Sequence, residues 1–175
     1  MFTTVSRFGS TPFYHIFYIV SFNVMPKPAA LYFWCALAGV GYLTQILCSL
    51  YAQDRPYWVS DDIKSDQCVL MFGGPSPMMT KNVFAWFTIY LHAYNEVGVR
   101  QPRMSVFCTA YIVKMAATCL GCVFLIFLGF SRAYLGLCFF NQVLFGGILG
   151  LVLAFVCHNK IKPLFLGLPE MLYGE

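Results

Sequence analysis

The sequence predicts an all-α protein, a polytopic bundle of transmembrane helices with four spans and one or two short membrane-associated segments near its ends. Three observations lead there. Of 175 residues, 59% are hydrophobic and only 10% charged, where soluble domains carry about 25% charged residues. Four runs are long and almost free of charge, and none of the four contains an Asp or Glu. With so few charges this chain has too little polar material to cover a water-facing surface.

The elements follow in order. Residues 1–28 form an N-terminal membrane-associated segment, in which Thr11 to Val24 is too short to be a straight span and suits an interface-lying or re-entrant piece. The helical membrane core is 29–157. Its first run, Ala29 to Ala52, has 24 residues without a charge, enough helix at about 1.5 Å per residue to cross a hydrocarbon core of about 30 Å. The second, Asn82 to Asn95, reaches spanning length if its helix starts between Pro75 and Met79 and ends near Val99. Met104 to Phe130 is the third, interrupted by Lys114 alone, and Tyr134 to Cys157 is the fourth. Residues 158–175 are a C-terminal tail, whose stretch Pro163 to Tyr173 again suits an interface rather than a span.

Charge sets topology rather than a polyanion-binding surface. The net charge of +4 is scattered through short loops with no basic stripe, which excludes nucleic acid as a partner. With four crossings, Arg7, Lys27, Arg100, Arg103, Lys160 and Lys162 share one side. Arg55, Lys64, Lys81 and Arg132 share the other, diluted by Asp54, Asp61, Asp62 and Asp66. The richer side is assigned to the cytoplasm or matrix. The loop Gln53 to Lys81 and the turn at Ser131 and Arg132 therefore meet at one membrane face.

That face carries short motifs: Arg55-Pro56, Pro75-Ser76-Pro77-Met78, and Ser131-Arg132-Ala133-Tyr134-Leu135-Gly136-Leu137-Cys138. In order and spacing they resemble the three signatures of the type 2 phosphatidic acid phosphatase superfamily, the lipid phosphate phosphatase and glucose-6-phosphatase group, over roughly Ala29 to Cys157. Those signatures are Lys, six residues, Arg-Pro; Pro-Ser-Gly-His; and Ser-Arg, five residues, His, three residues, Asp. The resemblance implies a helical membrane fold acting on phosphorylated lipids, with a His nucleophile, an Asp orienting it, a His acid and a phosphate-binding Lys.

The chain departs from that set at five positions. Cys138 stands at the nucleophile, Gln142 at the orienting carboxylate, Met78 at the acid and Cys48 at the lysine, while Pro77 replaces the glycine. A thioether has no proton to donate, an amide no charge to stabilise an imidazolium, and proline no backbone N–H. No catalytic residue is expected. A Cys138 thiolate beside Arg132 would be a conceivable nucleophile, but no His or carboxylate partner accompanies it. Arg55, Ser76, Ser131 and Arg132 remain, and two readings stay open for them: they hold an anionic phospholipid headgroup, or the arginines pair with Asp54, Asp61 or Asp62 and tie loop to hairpin.

Other residues offer no cofactor or metal. Cys119-x-x-Cys122 has no second pair, and His15, His92 and His158 are dispersed. Gly146-x-x-x-Gly150 predicts close helix packing, by default within the bundle. Lys114, about ten residues into its span, either snorkels or meets a group from another chain. The acid-free first 53 residues are compatible with mitochondrial import. The expectation is a non-catalytic accessory subunit of a larger membrane complex, in the mitochondrial inner membrane, with the endoplasmic reticulum as the alternative. Membrane lipids and the other subunits of that complex are its expected partners.

Overall fold

The structure, a computed structural model, describes residues 14, 19, 21–23, 25–60, 63, 70–100, 104–165 and 167, with the side chains of 93–111, 113 and 114 excepted. Most of the segment 11–24, the loop acids Asp61 and Asp62, most of 163–173 and the side chain of Lys114 lie outside the described residues. Among the described residues the helices with given bounds are α1 (Lys27–Tyr51), α2 (Pro56–Val59), α3 (Pro77–Arg100), α4 (Met104–Tyr134) and α5 (Phe140–Val156), followed by a π-helical turn, Cys157–Ile161. Among the described residues there is no strand, only an isolated bridge between Gln53 and Gly74.

Proline and left-handed residues punctuate these helices. Pro28 sits in the first turn of α1, where a missing N–H costs no intrahelical bond. At the other end Ala52 turns left-handed at φ 42° and its N–H caps the carbonyl of Cys48. Pro77 opens α3 for the same reason as Pro28 opens α1. Between α4 and α5, Gly136 takes a φ of +64°, so the chain reverses there and α5 starts at Phe140 rather than at Tyr134. Cys138 therefore lies in the turn before α5.

Three helices are long and apolar enough to cross a membrane among the described residues: Lys27–Tyr51, Met115–Tyr134 and Phe140–Phe165. This corrects the expected count of four apolar spans. The second expected span is present as the 24-residue helix α3, but its composition is too polar, with Thr80, Lys81, Asn82, Thr88 and His92. The physical reason is its position. α3 packs against α1, α4 and α5, and a helix surrounded by protein needs no lipid-compatible face. Thr80 and Thr88 are buried on it beside Val83, Phe84 and Ala85.

The tightest seam joins α3 to α5, and small residues make it. A Cβ on Gly146 would lie 2.8 Å from the carbonyl oxygen of Ser76, and one on Gly150 would lie 2.6 Å from that of Thr80. Without hydrocarbon-water contrast inside a bilayer, such close approach is what packs helices together. The glycine pair thus serves this bundle itself. Phe33, Leu37 and Val40 of α1, Phe84 and Ala85 of α3, and Ala154 and Cys157 form the core. On the far side of α3, an apolar cleft of about 370 Å³ separates it from α4, lined by Val83, Phe87, Leu125, Ile126, Leu144 and Leu151 among others.

Candidate functional site

The seam between α3 and α5 fixes the site, because it aligns the start of both helices with the end of α1 and of α4. Cys48, Arg55, Ser76, Ser131, Arg132, Cys138 and Gln142 are all buried at this one end of the bundle. Every signature position except Pro77 and Met78 is thus withdrawn from the surface; those two, on the first turn of α3, are partly exposed.

Arg55 is held by backbone. Its Nε donates to the carbonyl of Met71 at 2.5 Å, Nη1 to that of Leu137 at 2.8 Å and Nη2 to that of Phe72 at 3.3 Å. A guanidinium has five N–H donors in a planar fork, and here the fork is turned on three carbonyls in two segments. Neither open reading for Arg55 anticipated this. Among the described residues, all three bonds end on backbone carbonyls. They staple the connector after α2 to the turn before α5.

Gln142 makes the matching connection. Its Oε1 accepts from the N–H of Phe139 at 3.0 Å, covering one of the free donors at the start of α5. Its Nε2 donates to the carbonyl of Asp54 at 2.9 Å, and its own carbonyl accepts from the N–H of Ser76 at 3.1 Å. An amide satisfies a donor and an acceptor at once, which no ionised carboxylate does. Gly73 leaves room for that amide: a Cβ there would meet Gln142 Oε1 at 2.5 Å.

The two thiols fill the remaining space. Cys48 donates to the carbonyl of Pro75 at 3.0 Å, and Cys138 Sγ lies 3.7 Å from Ser76 Oγ. Consecutive residues of the Pro75-Ser76 segment therefore each carry one thiol. Arg132 is buried within electrostatic range of Cys138 and of Arg55, and its carbonyl accepts from the N–H of Leu137 at 3.1 Å. The two arginines thus grip Leu137 from its two backbone ends. Among the described residues, no group of three or more His, Cys, Asp or Glu comes together to hold a metal ion.

The residues singled out from the sequence lie together at one end of the bundle, and the backbone groups that join them were not among those residues. Met71, Phe72, Leu137 and Asp54 enter through their carbonyls, which no side-chain pattern reveals.

Comparison with known proteins adds two findings. Residues 29–165 match the family model of the PAP2 superfamily. A transmembrane PAP2-type phosphatidylglycerolphosphate phosphatase from Bacillus subtilis has a similar fold, with a TM-score of 0.71 at 21% identity over 93% of this chain and 75% of that one. No curated protein sequence matches.

Proposed function

This chain belongs to the PAP2 superfamily of membrane proteins, and from that premise we propose that it is a non-catalytic member whose signature cluster has become a structural joint. The observation that carries the reading is Gln142. At the place where the family keeps a carboxylate to orient its nucleophile, an amide bridges Phe139 and Asp54 through backbone bonds. Phosphoryl transfer through a histidine needs that ring, its orienting charge and a proton for the leaving alcohol. Cys138, Gln142 and Met78 supply none of the three. Arg55, the strongest phosphate ligand by chemistry, is spent on three carbonyls.

Ser76, Ser131 and Arg132 are what is left for a phosphate. An acidic phospholipid headgroup held without hydrolysis fits those groups. The wider role we infer is that of an accessory subunit in a membrane complex, in the mitochondrial inner membrane by the acid-free first 53 residues or in the endoplasmic reticulum.

Phosphate release from phosphatidic acid and from phosphatidylglycerol phosphate by the purified full chain tests the first part. We expect none above empty-membrane controls; turnover that vanishes in Cys138→Ser would establish the second reading, a cysteine-dependent phosphatase using the thiol beside Ser76. Native electrophoresis after mild solubilisation tests the second. Migration as a lone species of about 20 kDa counts against the accessory role.

A further inference from the structure

A second polar cluster lies at the other end of the bundle. His92 is 15 residues into α3 from Pro77, about 22 Å along the helix, and Lys162 follows the π-helical turn after α5. The Lys162 Nζ lies 3.1 Å from His92 Nδ1, across 70 residues of sequence. An ammonium only donates, so Nδ1 is the accepting nitrogen and Nε2 carries the ring hydrogen. His158, on the turn itself, lines the same small pocket as His92, Lys162 and Thr88, and Met25, Ala29 and Phe33 form its apolar side.

Three features go beyond a packing contact. First, the helix widens to a π-turn where it bears His158 and precedes Lys162. Such turns recur at functional positions. Tyr32 donates to the carbonyl of Cys157 at 2.7 Å, tying the widened turn to α1. Second, the Thr88 hydroxyl is fully enclosed, with its residue 4% exposed, and has no hydrogen-bond partner, although leaving a buried hydroxyl unbonded is unfavourable. Third, the lining is split between cationic or hydrogen-donating groups and apolar ones.

We propose that this pocket is an anion site that takes one oxygen of a phosphate group, supplied by an acidic phospholipid headgroup at the membrane face opposite the signature cluster. The enclosed volume, about 10 Å³, is close to that of a single water-sized group. The ligand therefore enters by one oxygen and keeps its body at the mouth. Lys162 gives the charge, the Thr88 hydroxyl and the His92 Nε2–H the fixed donors, and Lys160 and Lys27, exposed nearby in sequence, the surrounding positive field. Met25, Ala29 and Phe33 suit the glycerol and acyl part that a free phosphate lacks. The site is independent of whether the signature cluster catalyses or binds anything.

The test uses the purified full chain in nanodiscs of phosphatidylcholine, doped with phosphatidylglycerol in one arm and bathed in inorganic phosphate in the other. Thermal midpoint and retained lipid by native mass spectrometry are the readouts. Phosphatidylglycerol is expected to stabilise the wild type and Lys162→Arg, with affinity about tenfold weaker in Lys162→Met, as loss of one charge-assisted bond implies. Thr88→Val, which keeps the shape, should weaken binding in the same direction and serves if Lys162→Met does not fold. Stabilisation by inorganic phosphate alone would reassign the source to free phosphate. Equal binding by wild type, Lys162→Met and Thr88→Val, or loss confined to Arg132→Gln, overturns the proposal.

Discussion

Gln142 donates a 2.9 Å hydrogen bond to the carbonyl of Asp54, 88 residues earlier in the chain, and so joins the first turn of α5 to the connector after α1. A bond of this reach, made by a buried amide, makes the joint sensitive to chemistry rather than to size.

Gln142→Ala should lower stability by about 1–3 kcal/mol, the cost of leaving buried backbone groups unsatisfied. Gln142→Glu, nearly isosteric, should also destabilise, because an ionised oxygen then faces the Asp54 carbonyl with no hydrogen to offer. Thermal unfolding in detergent compares the two; a Glu variant as stable as the wild type would contradict the bonding described.

Arg55→Met should loosen the connector selectively. Three bonds from a charged donor are lost, each worth roughly 1.5–3 kcal/mol in mutational series, though not additively. Limited proteolysis should then cut between Ser60 and Leu70 at lower protease concentration than in the wild type, with the helices α3 to α5 still protected.

Gly150→Ala should force α5 from α3, since the new methyl meets the Thr80 carbonyl at 2.6 Å and Val83 at 3.0 Å. Overpacking of this kind costs about 1–3 kcal/mol. Gly39→Ala is the control: nothing lies within 4 Å, and alanine's helix propensity makes it neutral or stabilising by up to about 1 kcal/mol. Thermal midpoints measured side by side should separate the pair.

On the proposed non-catalytic reading, placing a histidine at 138 is expected to produce no turnover. Cys138→His would gain a nucleophile but no carboxylate at 142 and no acid at 78, and groups that act as a unit do not contribute singly. Phosphate release by this variant above the wild-type level would show that the cluster retains more machinery than Gln142 and Met78 suggest.

Much of this was legible in the sequence. The helix order came from apolar runs, and the meeting of Arg55, Ser76 and Ser131-Arg132 from the side on which loops must fall. The Gly146 and Gly150 pair announced a close seam and found it on α3. Two kinds of information were hidden. One is the backbone acceptor: Leu137 and Met71 look like apolar filler, yet their carbonyls determine what Arg55 does. The other is position in the bundle. Pro77 reads as a lost phosphate donor and is also the natural first residue of α3; the polarity of α3 reads as a weak span and reflects a helix enclosed by three neighbours. The His92 and Lys162 contact was invisible because a π-helical turn, which no periodicity foretold, intervenes.

The length of α4 turns the molecule into a ruler for its bilayer. Its 31 residues make a rod of about 46 Å, half as long again as a hydrocarbon core of about 30 Å. Arg132 is buried in its last turn; with that turn set at one boundary of the core, the excess lies at the other. Counting back from Arg132, the backbone of residue 114 lies about 27 Å away, almost a full core thickness. Position 114, about ten residues into its apolar run, then falls toward the opposite boundary, and a thicker or thinner membrane would change its depth by tilting this one helix.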